Sequence, residues 1–282
     1  MIAVGRHRLD FQSYCRIKAV NASSLMNFKK SPKHYQHSLT RERIDSDALR
    51  IGRACHTATL EPDQFLREYV LWSGGRRYGK EWDYFRESAE GRNQTVLREQ
   101  DYNLALKVRD SVRGHEAAMR YLSHKAGEAE VSFVWNRQTG NRIQRCKGRT
   151  DWLCDAIVDL KTTRSVEASP FARDAAKLGY HMRAAFYQDG VKAVTGATLP
   201  VVLIAVEKSP PFDCAVYRVP DDALGVGRAE YQDLLDRLAD CVEEDRWPGV
   251  VETEQDLEFP AWIFKEDPLP NMPAITMGGR PL

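Results

Sequence analysis

The sequence predicts an α/β domain built on a mixed sheet, and three observations carry that reading. Strand-patterned runs gather in the middle of the chain, at EVSFVWN, RIQRCKGRTDWLC and AIVDLKTT, and again at LPVVLIAVEK and FDCAVYRVP. Helix-patterned segments occupy the N-terminal part, the gap between the two strand groups and the stretch after them. Hydrophobic residues make up 43% of the 282 positions, enough apolar mass for a substantial core. The whole of 1–282 reads as one domain. Its parts are a mostly helical 1–125 carrying His56, a sheet-and-helix region 126–220, and a final helix with a surface tail, 221–282.

Taken in order, residues 22–39 read as a short helix, a break at Pro32 and a second turn. Asp45 to Asp47 can cap a helix through ALRIGRACHTATL, which stops at Glu61-Pro62. Ala48, Ile51, Cys55 and Ala58 form its apolar stripe, and His56 lies off that stripe on the face of Gly52. Residues 73–94 open as a Gly- and Arg-rich loop and continue as a charged, aromatic helix; residues 98–120 read as helical. A β-meander follows, its first turn supplied by Thr139-Gly140. Helices are expected near 168–178 and 181–195. A strand pair separated by Ser209-Pro210-Pro211 comes next, then a helix over about 222–245 that ends before Trp247-Pro248-Gly249. The proline-bearing tail beyond is expected to wrap the surface.

Several classes are disfavoured at once. A net charge of +1 gives no bulk electrostatic case for a nucleic-acid partner, so any such surface must be local. No apolar run approaches the roughly 20 residues of a membrane span. The start, MIAVGRHRLDF, lacks the pattern of a signal peptide, so a cytoplasmic protein, with no membrane partner, is expected. Cysteines 15, 55, 146, 154, 214 and 241 form no C-x-x-C pair, so reduced, mostly buried thiols are expected rather than a zinc or iron–sulfur site.

The chemistry gathers at GRTDWLCDAIVDLKTT. Side chains alternate across a strand, so Val158 and Leu160 point one way and Asp159 and Lys161 the other. Asp151, on the preceding strand, reaches the same face if the two strands pair. Two converging carboxylates repel unless a cation joins them, and a hard divalent ion with oxygen ligands, most naturally magnesium, fits. A lysine beside such an ion can orient or deprotonate a water and stabilise charge on a phosphate, which makes phosphodiester hydrolysis the natural reaction class. The plain alternative is an Asp–Lys pair on a solvated strand.

D151-(x)7-D159-L160-K161 matches the signature of the PD-(D/E)XK nucleases, the restriction-endonuclease-like fold with a mixed central sheet flanked by helices. Its setting, CKGRTDWL…IVDLKTT, resembles the RecE-type exonucleases (exodeoxyribonuclease VIII) and their phage relatives. GRACHTATLEP is similar to the segment that gives that group its active-site histidine, here His56. GEAEVSFVWNRQTGNRIQRCKGRTD resembles its first two strands, with Glu130 at an often acidic position. YHMRAAFYQDG resembles the helix after the motif, and RWPGVVETEQDLEFPAW the closing segment. The resemblance runs from about residue 22 to about 265. Thr150 stands where the signature has Pro. Arg183 stands where RecB-like nucleases carry the Gln of Q-x-x-x-Y, four residues before Tyr187. Arginine accepts no hydrogen bond, but it can hold a DNA phosphate.

The resemblance implies metal ligation by Asp151, Asp159 and the Leu160 carbonyl, and a water positioned by Lys161. His56 is implied as a further ligand or supporting group, and Glu130 as an additional acid. The alternatives are a histidine packed on its helix face and a strand-edge charge beside Glu128. Magnesium is the implied cofactor, with manganese able to substitute. The implied reaction is hydrolysis of linear duplex DNA from its 5′ ends, by a ring-shaped trimer or tetramer, in phage-type recombination within a bacterial host cell, alongside a single-strand annealing protein. Arg76, Arg77 and Lys80 on the glycine-rich loop are candidate phosphate contacts, as are Thr162, Thr163, Arg164, Arg183 and Tyr187; Ser23, Ser24, Lys29 and Lys30 are weaker ones. Trp82, Tyr84 and Phe85 can stack on a base or turn into the core. The same core also serves an endonuclease, although no separate base-reading domain is visible. A nuclease-fold protein that only binds DNA is the third reading, and the presence of both aspartates and the lysine argues against it.

Overall fold

In the computed structural model, which describes residues 2–40, 46–139, 141–260 and 263, the chain opens with β1 (Gly5–Arg8) and α1 (Phe11–Arg16). Helices α2 (Ala22–Lys30), α3 (Pro32–Thr40), α4 (Asp47–Leu60) and α5 (Pro62–Glu68) follow, then a small lobe of β2 (Tyr69–Trp72), α6 (Lys80–Gly91) and β3 (Thr95–Arg98). α7 (Glu99–Gly114) and α8 (Glu116–Leu122) lead into the meander of β4 (Glu128–Thr139), β5 (Arg142–Leu153) and β6 (Ile157–Thr163). α9 (Ala168–Lys177) and α10 (Tyr180–Thr195) cross over to β7 (Val201–Glu207), β8 (Cys214–Arg218) and α11 (Asp221–Glu244).

The main sheet runs β1-β4-β5-β6-β7-β8. Every neighbour is antiparallel except β6 and β7, which are parallel because the α9–α10 crossover returns the chain in the same direction. Alternation along the strands gives the sheet two buried faces. Phe133, Trp135, Ile157 and Leu203 pack under α2, α10 and α11; Val158, Leu160 and Ile204 pack under α4 and α7. Phe186 of α10 anchors the first face, its ring 4.9 Å from Trp135 and 5.3 Å from Tyr231. Two glycines let the helices seat. A Cβ at Gly190 would lie 2.6 Å from the Trp135 ring, and one at Gly227 would lie 2.4 Å from the His181 carbonyl oxygen.

The mixed sheet and the predicted strands and helices of 126–245 are present. The N-terminal part differs in detail. Three four-residue strands, β1, β2 and β3, were not expected, being too short to show a period. Pro62 opens α5 as well as ending α4, since proline suits a first helical turn. The helix expected over 98–120 divides at His115, whose ring accepts the N–H of Ala118 and starts α8. Within the stretch expected to cap α4, Asp45 to Asp47, Ser46 accepts the Leu49 N–H; Asp45 and Gly140 lie outside the described residues. Ala48 is exposed and Ile51 half-buried, so the stripe of α4 is Ala54, Cys55 and Ala58. The segment after α11 folds back onto α3, with Trp247 stacked on Tyr35; residues 251–260 are exposed, and most of the expected tail beyond lies outside the described residues. Of the free cysteines, 55, 146 and 214 are buried. Among the described residues no helix is long and apolar enough to cross a membrane.

Candidate active site

β5 and β6 are joined by a tight turn, closed by the Cys154 N–H on the Ala156 carbonyl at 3.0 Å. They pair only at Trp152↔Val158 and Leu153↔Ile157, then part. Continued one step, that register sets Asp151 level with Asp159. The ladder opens there because the Asp151 carboxylate itself accepts the Leu160 N–H at 2.8 Å. In extended backbone the N–H and C=O of one residue point to the same side, so the Leu160 carbonyl also faces the fork. On the other side of β5, Val131↔Thr150 and Ala129↔Trp152 set Glu130 level with Asp151. Three carboxylates thus form a row across three strands.

Glu130 has φ +56°, a left-handed conformation that costs a non-glycine residue about 1–3 kcal/mol and clusters at functional sites. It reverses the facing of β4: Val131 and Phe133 belong to one core face and Ala129 to the other. The fork is consequently reached from both faces. From the α4 side, His56 Nδ1 comes to 3.4 Å of Asp151 Oδ2. From the α10 side, the Tyr180 ring lies 5.1 Å from Lys161 Nζ, which forms an ion pair with Asp159.

Burial pushes the Asp151 carboxyl up; His56 pulls it down and the like charge of Asp159 pushes it up again. Glu130 is pushed up to about 7 by burial and then by Asp151, against the pull of Arg149. Burial alone would lower Lys161, but Asp159 and Asp151 outweigh it and hold the ammonium above its ordinary range. Such a row of mutually repelling, half-desolvated carboxylates suits a hard divalent cation in chemistry: carboxylate oxygens, a carbonyl and one imidazole. Among the described residues, however, no three His, Cys, Asp or Glu side chains converge on a common point as they stand. Asp159 is turned onto Lys161 and Glu130 onto Arg149. The donor set fits such an ion, and Asp159 has to turn to join it.

The remaining sequence candidates divide. Arg183 and Tyr187 follow Tyr180 along one stripe of α10. Arg183 Nε is buried with no hydrogen-bond partner among the described residues, and Tyr187 packs beside Gly148, its phenol pushed up by burial and then by Tyr14. Thr162 is half-buried. Thr163 is buried and its hydroxyl donates to the Ser165 carbonyl at 3.1 Å, which leaves only Arg164, 85% exposed, open to a strand. Arg76, Arg77 and Lys80 belong to the β2–α6–β3 lobe. There Arg77 donates to the Val96 carbonyl and stacks on Trp82, and Arg76 lies over Tyr78. Trp82 and Phe85 turn onto Trp72, so of the three aromatics only Tyr84 is exposed. Gln188 is spent on the Leu199 carbonyl and Arg228. Sequence reading missed Tyr180 and Arg149. The i, i+3, i+7 spacing of Tyr180, Arg183 and Tyr187 marks the first, and two-residue alternation from Asp151 marks the second.

Residues 21–256 match the family described as "PDDEXK-like domain of unknown function (DUF3799)", and the chain belongs to it. The nucleases after which that family is described generally work with divalent metal ions. A crystal structure from Eubacterium rectale, described as "Putative exonuclease", superposes with a TM-score of 0.56 at 16% identity. The match covers 93% of this chain and 99% of that one. The two share the fold. A structure of a protein designated SSO0001 overlaps 66% of this chain, and 86% of its own, at 16% identity with a TM-score of 0.30, too low to equate the folds. No curated protein matches the chain.

Proposed function

We propose that this protein is a metal-dependent exodeoxyribonuclease of the RecE-like kind, acting as one domain over 1–282. It hydrolyses linear double-stranded DNA from the 5′ ends and leaves 3′ single strands for phage-type recombination with an annealing protein. The observation that supports it most is the alignment of Asp151 with Asp159 at the β5–β6 fork, with Lys161 on Asp159 and the Leu160 amide on Asp151. Asp151, Asp159, the Leu160 carbonyl and His56 would hold magnesium or manganese. Once bound, such an ion stabilises charge on the phosphate and acidifies a coordinated water.

The residues divide the remaining work. Lys161, paired with Asp159, donates to the attacking water and orients it. Tyr180 supports the ammonium from below. Arg183, with its unpartnered Nε beside this wall, holds a backbone phosphate, and Arg164 takes the strand beyond it. Arg76, Arg77 and Lys80 contact phosphates farther along the duplex.

The test uses linear duplex DNA with and without a 5′ phosphate, and circular duplex, each with magnesium. Degradation of the linear forms alone supports the proposal, whereas cutting of circles makes the protein an endonuclease. Lys161→Ala is expected to keep DNA affinity within about threefold and lose at least about 10²-fold in turnover. A variant that cuts at full rate removes Lys161 from the site.

A further inference from the structure

The N-terminal segment lies before the family match at 21–256, yet it holds Arg149, the arginine paired with Glu130 of the row of carboxylates. β1 adds to the sheet edge from Gly5↔Val134 to Arg8↔Val131 and so ends one residue from Glu130. Asp10 caps α1 by accepting the Ser13 N–H at 2.8 Å, which fixes the chain as it turns over β5. Lys147, 3% exposed, holds that turn by donating to the carbonyls of Tyr14, Cys15 and Ile17 at 3.0, 3.3 and 2.7 Å. One alternation further along β5, Arg149 is gripped from the same side. Its Nη1 donates to the Leu9 carbonyl at 2.8 Å, and its guanidinium lies 6.0 Å from the Phe11 ring and 5.9 Å from the Tyr14 ring. The remaining edge of the fork, Nε, forms the ion pair with Glu130.

A guanidinium fixed at three points has little freedom to follow its carboxylate. Glu130, the third member of the row, is thereby committed to Arg149 and turned from the Asp151–Asp159 pair. We propose that Arg149 is a positioning residue that withholds Glu130 from the divalent ion, and that residues 5–17 supply the grip. The N-terminal segment would thus set how many carboxylates the site offers a cation. This rests on the reading of Asp151 and Asp159 as metal ligands.

The experiment measures Mn2+ binding to the full chain by calorimetry and by the electron paramagnetic resonance signal of free Mn2+, with no DNA and no turnover. Arg149→Gln is expected to tighten Mn2+ binding on the order of tenfold, the scale at which groups supporting a ligand act. In a Glu130→Gln background the same substitution is expected to change affinity less than about threefold, because no carboxylate is left to release. Arg149→Lys, which keeps the charge but cannot grip Leu9 and Glu130 together, is expected to fall between, and serves if Arg149→Gln does not fold. Unchanged or weaker binding in Arg149→Gln overturns the inference, as does an equal gain in both backgrounds, which would be bulk charge alone. If the unaltered protein shows no binding that Asp151→Asn abolishes, the metal site itself fails and the inference with it. Binding that depends on Asp151 but not on Arg149 sinks the inference alone.

Discussion

Glu130 shows how a single residue couples the site to stability. Its carboxyl, pushed up to about 7, binds its proton more tightly in the folded chain than in the unfolded one. Its contribution is therefore most favourable at low pH and is lost as pH rises from the ordinary carboxylate range through about 7. The loss is at most about 3 kcal/mol, since each tenfold gain in proton affinity is worth about 1.4 kcal/mol. In chelator, the Glu130→Gln variant should melt close to the parent at pH 5 and progressively above it by pH 8. A constant difference across that range would show that Glu130 does not titrate there. At this scale the sequence was legible where chemistry left a pattern. The spacing of Asp151, Asp159 and Lys161 named residues that meet at one fork, with His56 beside them. Arg149 was hidden because nothing in a linear sequence marks an arginine as the partner of a glutamate nineteen residues earlier; only the β4–β5 register brings them together. The burial of Thr163 was not legible because neighbouring Thr162 and Arg164 are polar too, and burial at a strand end is decided by the loop that follows.

Among elements, the contact between α10 and α11 is the most demanding. Gly227 sits against the backbone of His181 at a separation that leaves no room for a methyl group. Gly227→Ala should cost about 1–3 kcal/mol, read as a lower denaturant midpoint with an unchanged slope. An unshifted midpoint would mean the two helices have slack. Long, strongly periodic elements such as β5, α10 and α11 could be read from sequence to within a residue or two. The four-residue strands of the N-terminal part could not. β2 and β3 exist because Tyr69 to Trp72 finds Thr95 to Arg98 across the whole of α6, a non-local pairing that no short window displays. The division of α7 from α8 turns on the His115 ring, a capping group that propensity does not single out.

For the whole molecule, the sheet class followed from the order of elements, because a meander, a helical crossover and a further strand pair admit few right-handed arrangements. Which faces the helices cover did not follow, since both core faces draw on the same apolar residue types. The ring that the RecE-type resemblance implies is open to a direct check: if it forms, sedimentation equilibrium at micromolar protein should give three or four times the 32.2 kDa chain mass. A monomer under those conditions would overturn that expectation.

β6 is the seam of the sheet, antiparallel to β5 and parallel to β7. The meander on one side closes through tight turns, whereas the ladder on the other must wait for the 37 residues between Thr163 and Val201, which carry α9 and α10, to span the crossover. Loop-closure entropy therefore favours β4, β5 and β6 pairing ahead of β7. The acids and the lysine all reside on the early part, and Tyr180 and Arg183 ride on the late one. During synthesis, a chain whose β7 is still inside the ribosome can assemble the charged row but cannot yet wall it. The walled site is thus complete only at the end of folding, after the strand that completes the seam has emerged.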